Sequence, residues 1–280
     1  MKRQKSLEEW ASHLIIPLYQ GQYLHTLWNA WKSINRERGW ILKNKMWSPW
    51  FFNMRPFGNS PQLFCDTSMA MADLIASHDD IDVLIGVEMA GVPLVGAVAI
   101  ASLLNNGIER RICYSRPLPQ KARTPLEALE ILREIEISQA FYGEKNFVEA
   151  RLMDGDRIGI FDDMSTDLGS KLISRLTVLW QASQLPDPVK VTCNKIFYTL
   201  NRDPANRQKG IEFANNPELG LFPEALDVYY LIEVDEHFSE LQKVMRPGEY
   251  RVFSEYQKHP EHFKDKRVQT EVLALAAKAA

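Results

Sequence analysis

Short aliphatic and β-branched runs alternate along this chain with longer stretches of helical spacing, and that alternation predicts most of its elements. In residues 7–38, Leu, Ile, Trp and Tyr recur at the spacing of one or two amphipathic helices, with Ser6 as N-cap and Glu9 three residues on. Residues 39–59 are aromatic-rich, hold Pro49 and Pro56 and lack periodicity, so strand and hairpin with a functional loop are expected there. Residues 66–77 read as helix. Residues 81–86 (IDVLIG) form a continuous apolar run of the kind buried on both faces of a parallel sheet. A helix over 91–104, a strand over 111–114 and a polar stretch over 116–142 follow, the last with a helical segment at 125–137. The pattern then repeats as a strand over 157–161, a loop, a helix over about 169–183 and a strand over 191–200. After Arg202 the sequence predicts a polar loop, a short strand near 229–232 and a charged helical tail whose last residues, VLALAAKAA, resemble a frayed or partner-bound helix. Strand, loop and helix in this order imply parallel βαβ units, and hence an α/β fold with a mainly parallel central sheet flanked by helices.

Composition narrows the function classes. With 45% hydrophobic and 25% charged residues in 280, there is material for a packed interior and a solvated surface. A net charge of −3 supplies no basic field for nucleic acid or an anionic membrane, so small-molecule substrates are the expected partners. Cys65, Cys113 and Cys193 lie far apart without a CxxC pair, which suits buried free thiols in a reducing cytosol rather than disulfides or zinc. The opening MKRQKSLEEW leads into an amphipathic stretch instead of an apolar signal core, so a cytoplasmic location is expected. The longest apolar run, 83–104, is interrupted by Glu88 and punctuated by Gly86, Gly91, Pro93 and Gly96, which reads as strand, loop and helix and not as a membrane span.

The segment richest in chemistry is 157–176, RIGIFDDMSTDLGSKLISRL, where a buried strand delivers Asp162 and Asp163 into a turn holding Ser165, Thr166, Gly169 and Ser170 before a helix. Loops at the carboxyl ends of parallel strands are where such sheets place ligands. Free backbone N–H groups and hydroxyls at a helix start suit a phosphate monoester. Adjacent carboxylates can bind ribose hydroxyls or hold a hydrated Mg²⁺.

This segment resembles the diphosphoribosyl-binding motif of type I phosphoribosyltransferases. A second stretch, LKNKMWSPWFFN over 42–53, is similar to one found in the orotate phosphoribosyltransferases, with Lys43, Ser48, Pro49, Phe51, Phe52 and Asn53 in register. The resemblance implies that Phe51 and Phe52 wall a pyrimidine and that Lys43 meets its polar edge. It further implies a diphosphate-binding turn at Glu88, Met89, Ala90 and Gly91, and an arginine, Arg202, that reads the orotate carboxylate at the end of the strand in YTLNRDP. By the same resemblance Ser165, Thr166, Asp167, Leu168, Gly169 and Ser170 form the phosphate loop, and Asp162 and Asp163, with Arg116 and Lys121 from a lid, act in catalysis. The substrates implied are 5-phosphoribosyl 1-diphosphate (PRPP) and orotate, the cofactor Mg²⁺, and the assembly a homodimer.

The implied organisation is a type I phosphoribosyltransferase fold with N-terminal helices and a base-binding hood over 1–60, an α/β core over 61–235 with a lid insertion at 116–142, and a helical tail over 236–280. The chain departs from the family at Ala90, where a lysine is common, at Asp167 and Leu168, where small residues are usual, and in the lid, where Pro117 follows Arg116 and Tyr142-Gly143 closes the segment. A relative that uses another base, or a non-catalytic protein that binds PRPP or nucleotides for regulation, are therefore alternative readings.

Overall fold

Ser6 caps the first helix, α1 (Leu7–Gln20), through the reciprocal bonds its sequence predicts: its Oγ accepts from the Glu9 amide at 3.1 Å, and a Glu9 carboxylate oxygen accepts from the Ser6 amide at 2.7 Å. Of the one or two helices expected over 7–38, one forms. Gly21 ends α1, Gln22 takes a left-handed φ of 59°, and the chain enters β1 (Leu24–Thr26), with helical backbone returning only as a 3₁₀ turn at Ile34–Glu37. β2 (Trp40–Ile41) and β3 (Trp47–Ser48) make the expected hairpin, and β4 (Trp50–Phe52) pairs antiparallel with β1, Leu24 opposite Phe52. The computed structural model describes residues 5–30, 34–42, 45–78, 81–87, 89–138 and 147–279.

The core follows the predicted alternation: α2 (Pro61–Ala76), β5 (Val83–Gly86), α3 (Gly91–Asn106), β6 (Arg111–Tyr114), α4 (Pro125–Ser138), β7 (Arg157–Ser165), α5 (Gly169–Ser183), β8 (Thr192–Asn201), α6 (Pro204–Ala214) and β9 (Asp227–Glu233). The five strands form one all-parallel sheet in the order β6-β5-β7-β8-β9. Val83, Leu84 and Ile85 are at most 1% exposed, as a strand covered on both faces requires. The polar loop expected after Arg202 is instead a helix: Asp203 accepts from the Asn206 amide at 3.0 Å and Pro204 takes the first turn, where its missing N–H costs nothing. Of the three cysteines, Cys113 and Cys193 are buried as expected and Cys65 is exposed.

The inserted segment carries a packed helix. Ala128, Ile131, Leu132 and Ile135 of α4 form a cluster with Phe147 and Leu176, and Leu118, Ala122 and Ile173 close around it. The chain after this segment is anchored by a side chain: Gln181 Oε1 accepts from the amides of Phe147 and Val148 at 2.7 and 2.9 Å, and its Nε2 donates to the Val148 carbonyl at 2.9 Å.

Residues 234–280 continue as α7 (Val234–His237), α8 (Pro247–Lys258) and α9 (Lys266–Lys278). They join residues 1–63 in one compact unit, while residues 64–233 form the other. Within the first unit the buried Glu249 of α8 accepts from Thr26 Oγ1 at 2.5 Å and from the Tyr19 hydroxyl at 2.9 Å, and Trp50 packs against Phe238 and Phe253. The C-terminal residues, expected as a frayed or partner-bound helix, belong to α9, which is capped by Asp265 and buried at Val272 and Ala276. None of the helices among the described residues is long and apolar enough to cross a membrane.

Candidate functional site

All five strands of the core sheet end on the same side, which brings the exits of β5, β6, β7 and β8 to one edge. Two of these exits touch. β5 stops at Gly86, opposite Phe161; in the loop that follows, the Val87 amide donates to the Phe161 carbonyl at 2.8 Å, and α3 begins at Gly91 beside β7. A Cβ on Gly91 would lie 2.8 Å from the Phe161 oxygen and 3.3 Å from the Asp162 Cα, so only glycine allows the two backbones this close. Gly91→Ala is expected to cost about 1–3 kcal/mol, because backbone and not a flexible side chain must give way. Urea denaturation of the variant checks this.

β7 runs further than predicted. Asp162 and Asp163 lie inside the strand and not in the turn after it, because β8 keeps pairing with β7 as far as Ser165 opposite Asn201, and the Arg202 amide then donates to the Ser165 carbonyl at 2.8 Å. The two acids differ sharply. Asp162 is 6% exposed, and its Oδ2 pairs with Lys171 Nζ at 2.8 Å while its Oδ1 accepts from the Asp163 amide at 2.9 Å. Lys171, on the first turn of α5 and itself 3% exposed, also donates to the Met164 carbonyl at 2.5 Å. Asp163 is partly exposed and bonds only locally, accepting from the Met164 amide at 2.8 Å. Its carboxyl is pushed well above the usual carboxylate range, first by burial and then by the neighbouring Asp162 charge, with Lys171 opposing.

The turn after β7 is closed by its own groups. Ser165 Oγ donates to the Asp167 carbonyl at 2.8 Å, and Asp167 Oδ1 accepts from the Gly169 amide at 2.9 Å, so a side-chain carboxylate sits where the head of α5 would meet an anion. Leu168 is 1% exposed and belongs to the core, against Gly210 of α6, where a Cβ would meet it at 2.9 Å. Thr166 and Ser170 remain partly exposed. Of the diphosphate turn, Met89 is 70% exposed and Ala90 almost buried, while Glu88 lies outside the described residues.

At the end of β8, Arg202 is buried, 5% exposed. Beside it runs a network the sequence did not reveal: the Tyr198 hydroxyl donates to Asn201 Oδ1 at 3.2 Å, Asn201 Nδ2 to Glu233 Oε1 at 3.3 Å, and Glu233 Oε2 pairs with Arg207 at 3.0 Å. The lid cations gather elsewhere. Arg116, ion-paired with Glu149, and the exposed Lys121 line a cavity of about 470 Å³ with Ser170, and neither acid of β7 lines it.

In the other unit, Lys43 lies outside the described residues. Phe51 and Phe52 part company: Phe51 stacks on Trp40, centroids 6.3 Å apart, and lines a cavity of about 330 Å³ with His25 and Asn53, whereas Phe52 is 1% exposed in the interior. Burial lowers the His25 pKa, which keeps this wall uncharged at neutral pH.

For Mg²⁺ the donor set is lean. With both oxygens of Asp162 engaged, Asp163 is the carboxylate left to hold an ion, which suits a hydrated Mg²⁺ shared with substrate phosphates and not an all-protein cage. Among the described residues the one trio of spaced metal-ligand side chains, His259, Glu261 and His262, is exposed and belongs to the other unit.

The five-stranded parallel sheet with flanking helices and this strand order is the type I phosphoribosyltransferase fold. Structures similar to it include the UMP synthase of Leishmania donovani (TM-score 0.56, 14% identity, 89% of this chain and 42% of that one) and the orotate phosphoribosyltransferase of Francisella tularensis (0.55, 16%, 88% and 98%). The orotate phosphoribosyltransferase of Aeropyrum pernix is a third (0.51, 14%, 82% and 97%). At these identities the likeness is one of fold, and the chain spans under half of the Leishmania protein. No family model and no curated protein matches the sequence.

Proposed function

We propose that the protein is a phosphoribosyltransferase that transfers the phosphoribosyl group of PRPP to orotate, giving orotidine 5′-monophosphate and diphosphate. The observation that carries this reading is the contact of two strand exits: the Gly91 turn lies against Asp162, so a diphosphate at the one and a ribose at the other can belong to a single donor. Asp163 takes the ribose hydroxyls, and Thr166 and Ser170 the 5′-phosphate. Asp163 would also hold Mg²⁺, which neutralises the diphosphate. The acceptor nitrogen attacks the anomeric carbon as diphosphate departs, through a transition state with oxocarbenium character by analogy with other glycosyl transfers. Alignment of the donor and stabilisation of the leaving anion are then the protein's main contributions. Orotate as the acceptor is supported by the motif at 42–53, and a homodimer in the cytoplasm accompanies this reading.

A second reading, a relative with another base or a non-catalytic PRPP-binding regulator, is favoured by one set of observations: Lys171 occupies Asp162, Asp167 occupies the Gly169 amide, and Ala90 brings no charge. Steady-state assays with orotate, uracil, hypoxanthine and adenine separate the two. The first reading predicts diphosphate release with orotate at least tenfold faster than with the other bases. Release with another base, or PRPP binding with no product from any of the four, decides for the second.

A further inference from the structure

The end of α8 carries a cluster of side chains that the phosphoribosyl reading does not use. Glu255 lies in the last turn of the helix, His259 closes it, and the 3₁₀ turn Pro260–Lys264 adds Glu261 and His262. The backbone sets their spacing. The His259 amide donates to the Glu255 carbonyl at 2.9 Å and the His262 amide to the His259 carbonyl at 3.1 Å, so residues four and three apart return to one side of the chain. Pro260 restricts the start of the turn, and Phe263 within it is 2% exposed and stacks on Trp47, centroids 6.1 Å apart, so the backbone bearing these groups is anchored. The two imidazoles stack at 5.0 Å, and each faces a carboxylate: His259 Nδ1 lies 3.7 Å from a Glu261 oxygen, and His262 Nδ1 3.5 Å from a Glu255 oxygen. One ligand atom from each of His259, Glu261 and His262 falls within 4.8 Å of the other two. Ligands at about 2.0–2.2 Å from a tetrahedral ion are about 3.4 Å from one another, a contraction that exposed side chains can make by rotation.

We propose that His259, Glu261 and His262, with Glu255 as a fourth ligand, form a binding site for a divalent transition-metal ion of the zinc class. Imidazole nitrogens joined by carboxylate oxygens suit Zn²⁺, Cu²⁺ or Ni²⁺, whereas Mg²⁺ and Ca²⁺ take oxygen ligands. The site thus differs in chemistry from the Mg²⁺ proposed at Asp163. A bound ion ties the last turn of α8 to the turn that holds Phe263 against Trp47 of β3.

The test is calorimetric titration of Zn²⁺ into the full-length protein, with Mg²⁺ in excess, and into three variants first checked for an unchanged melting temperature without zinc. The parent is expected to take up Zn²⁺ saturably, and His259→Ala and His262→Ala are each expected to weaken it at least about tenfold, as loss of even an outer partner of a metal site does. Cys65→Ser, which removes the exposed thiol, is expected to stay within about twofold of the parent. The proposal is overturned if the parent takes up no Zn²⁺, if excess Mg²⁺ abolishes the uptake, if either histidine variant keeps the parent's affinity, or if Cys65→Ser loses as much as they do.

Discussion

Lys171→Met is expected to destabilise the protein by about 3–5 kcal/mol at neutral pH, the cost of stripping a buried carboxylate of its partner. Asp162 is the carboxylate concerned. Lys171 Nζ at 2.8 Å is its counter-ion, and both side chains are almost wholly shielded from water. Methionine fills much of the same volume, so lost packing contributes little. The double variant Lys171→Met, Asp162→Asn should recover most of the loss, since no unpaired charge is left behind. Urea unfolding of both variants measures this; a single variant within 1 kcal/mol of the parent would show that Asp162 does not depend on Lys171. The pair has a functional corollary. With both oxygens of Asp162 engaged, the proposed contact with the donor falls to Asp163.

The second large effect separates two neighbours that the sequence treats alike. Phe52→Ala is expected to cost about 3–5 kcal/mol, as a large aromatic removed from an interior does. Phe52 is 1% exposed on β4, opposite Leu24. Phe51 points to the other face of the strand, stacks on Trp40 and lines a cavity, so Phe51→Ala should cost far less stability and act on the acceptor's KM. Thermal melts and steady-state kinetics of the two variants distinguish them. Equal losses of stability would mean that the strand does not alternate as described.

Much of the core was legible because its information is local. The apolar run at β5, the strand at β6 and both ends of α5 follow from patterning and punctuation within a dozen residues. What escaped depends on contacts between distant parts of the chain. The spacing after Gly21 still looks helical, but pairing of Leu24 with Phe52 draws the segment into a strand. Lys171 reads as an ordinary first-turn lysine, and only the return of α5 beside β7 reveals that it faces Asp162. A local signal was available for α6, in the Asp203-Pro204 cap, and for the Asp167 cap, in an acid two residues before the Gly169 amide. Glu249, bonded to Thr26 and Tyr19, could not have been read from either end of the chain alone.

The claim on which the functional reading rests is that the exits of β5 and β7 together hold one PRPP molecule. Calorimetric titration of PRPP with Mg²⁺ into the parent and Asp163→Asn tests it most directly. Saturable binding in the parent, weakened at least tenfold in the variant, is the predicted result; equal affinity in both, or no binding in either, would contradict it.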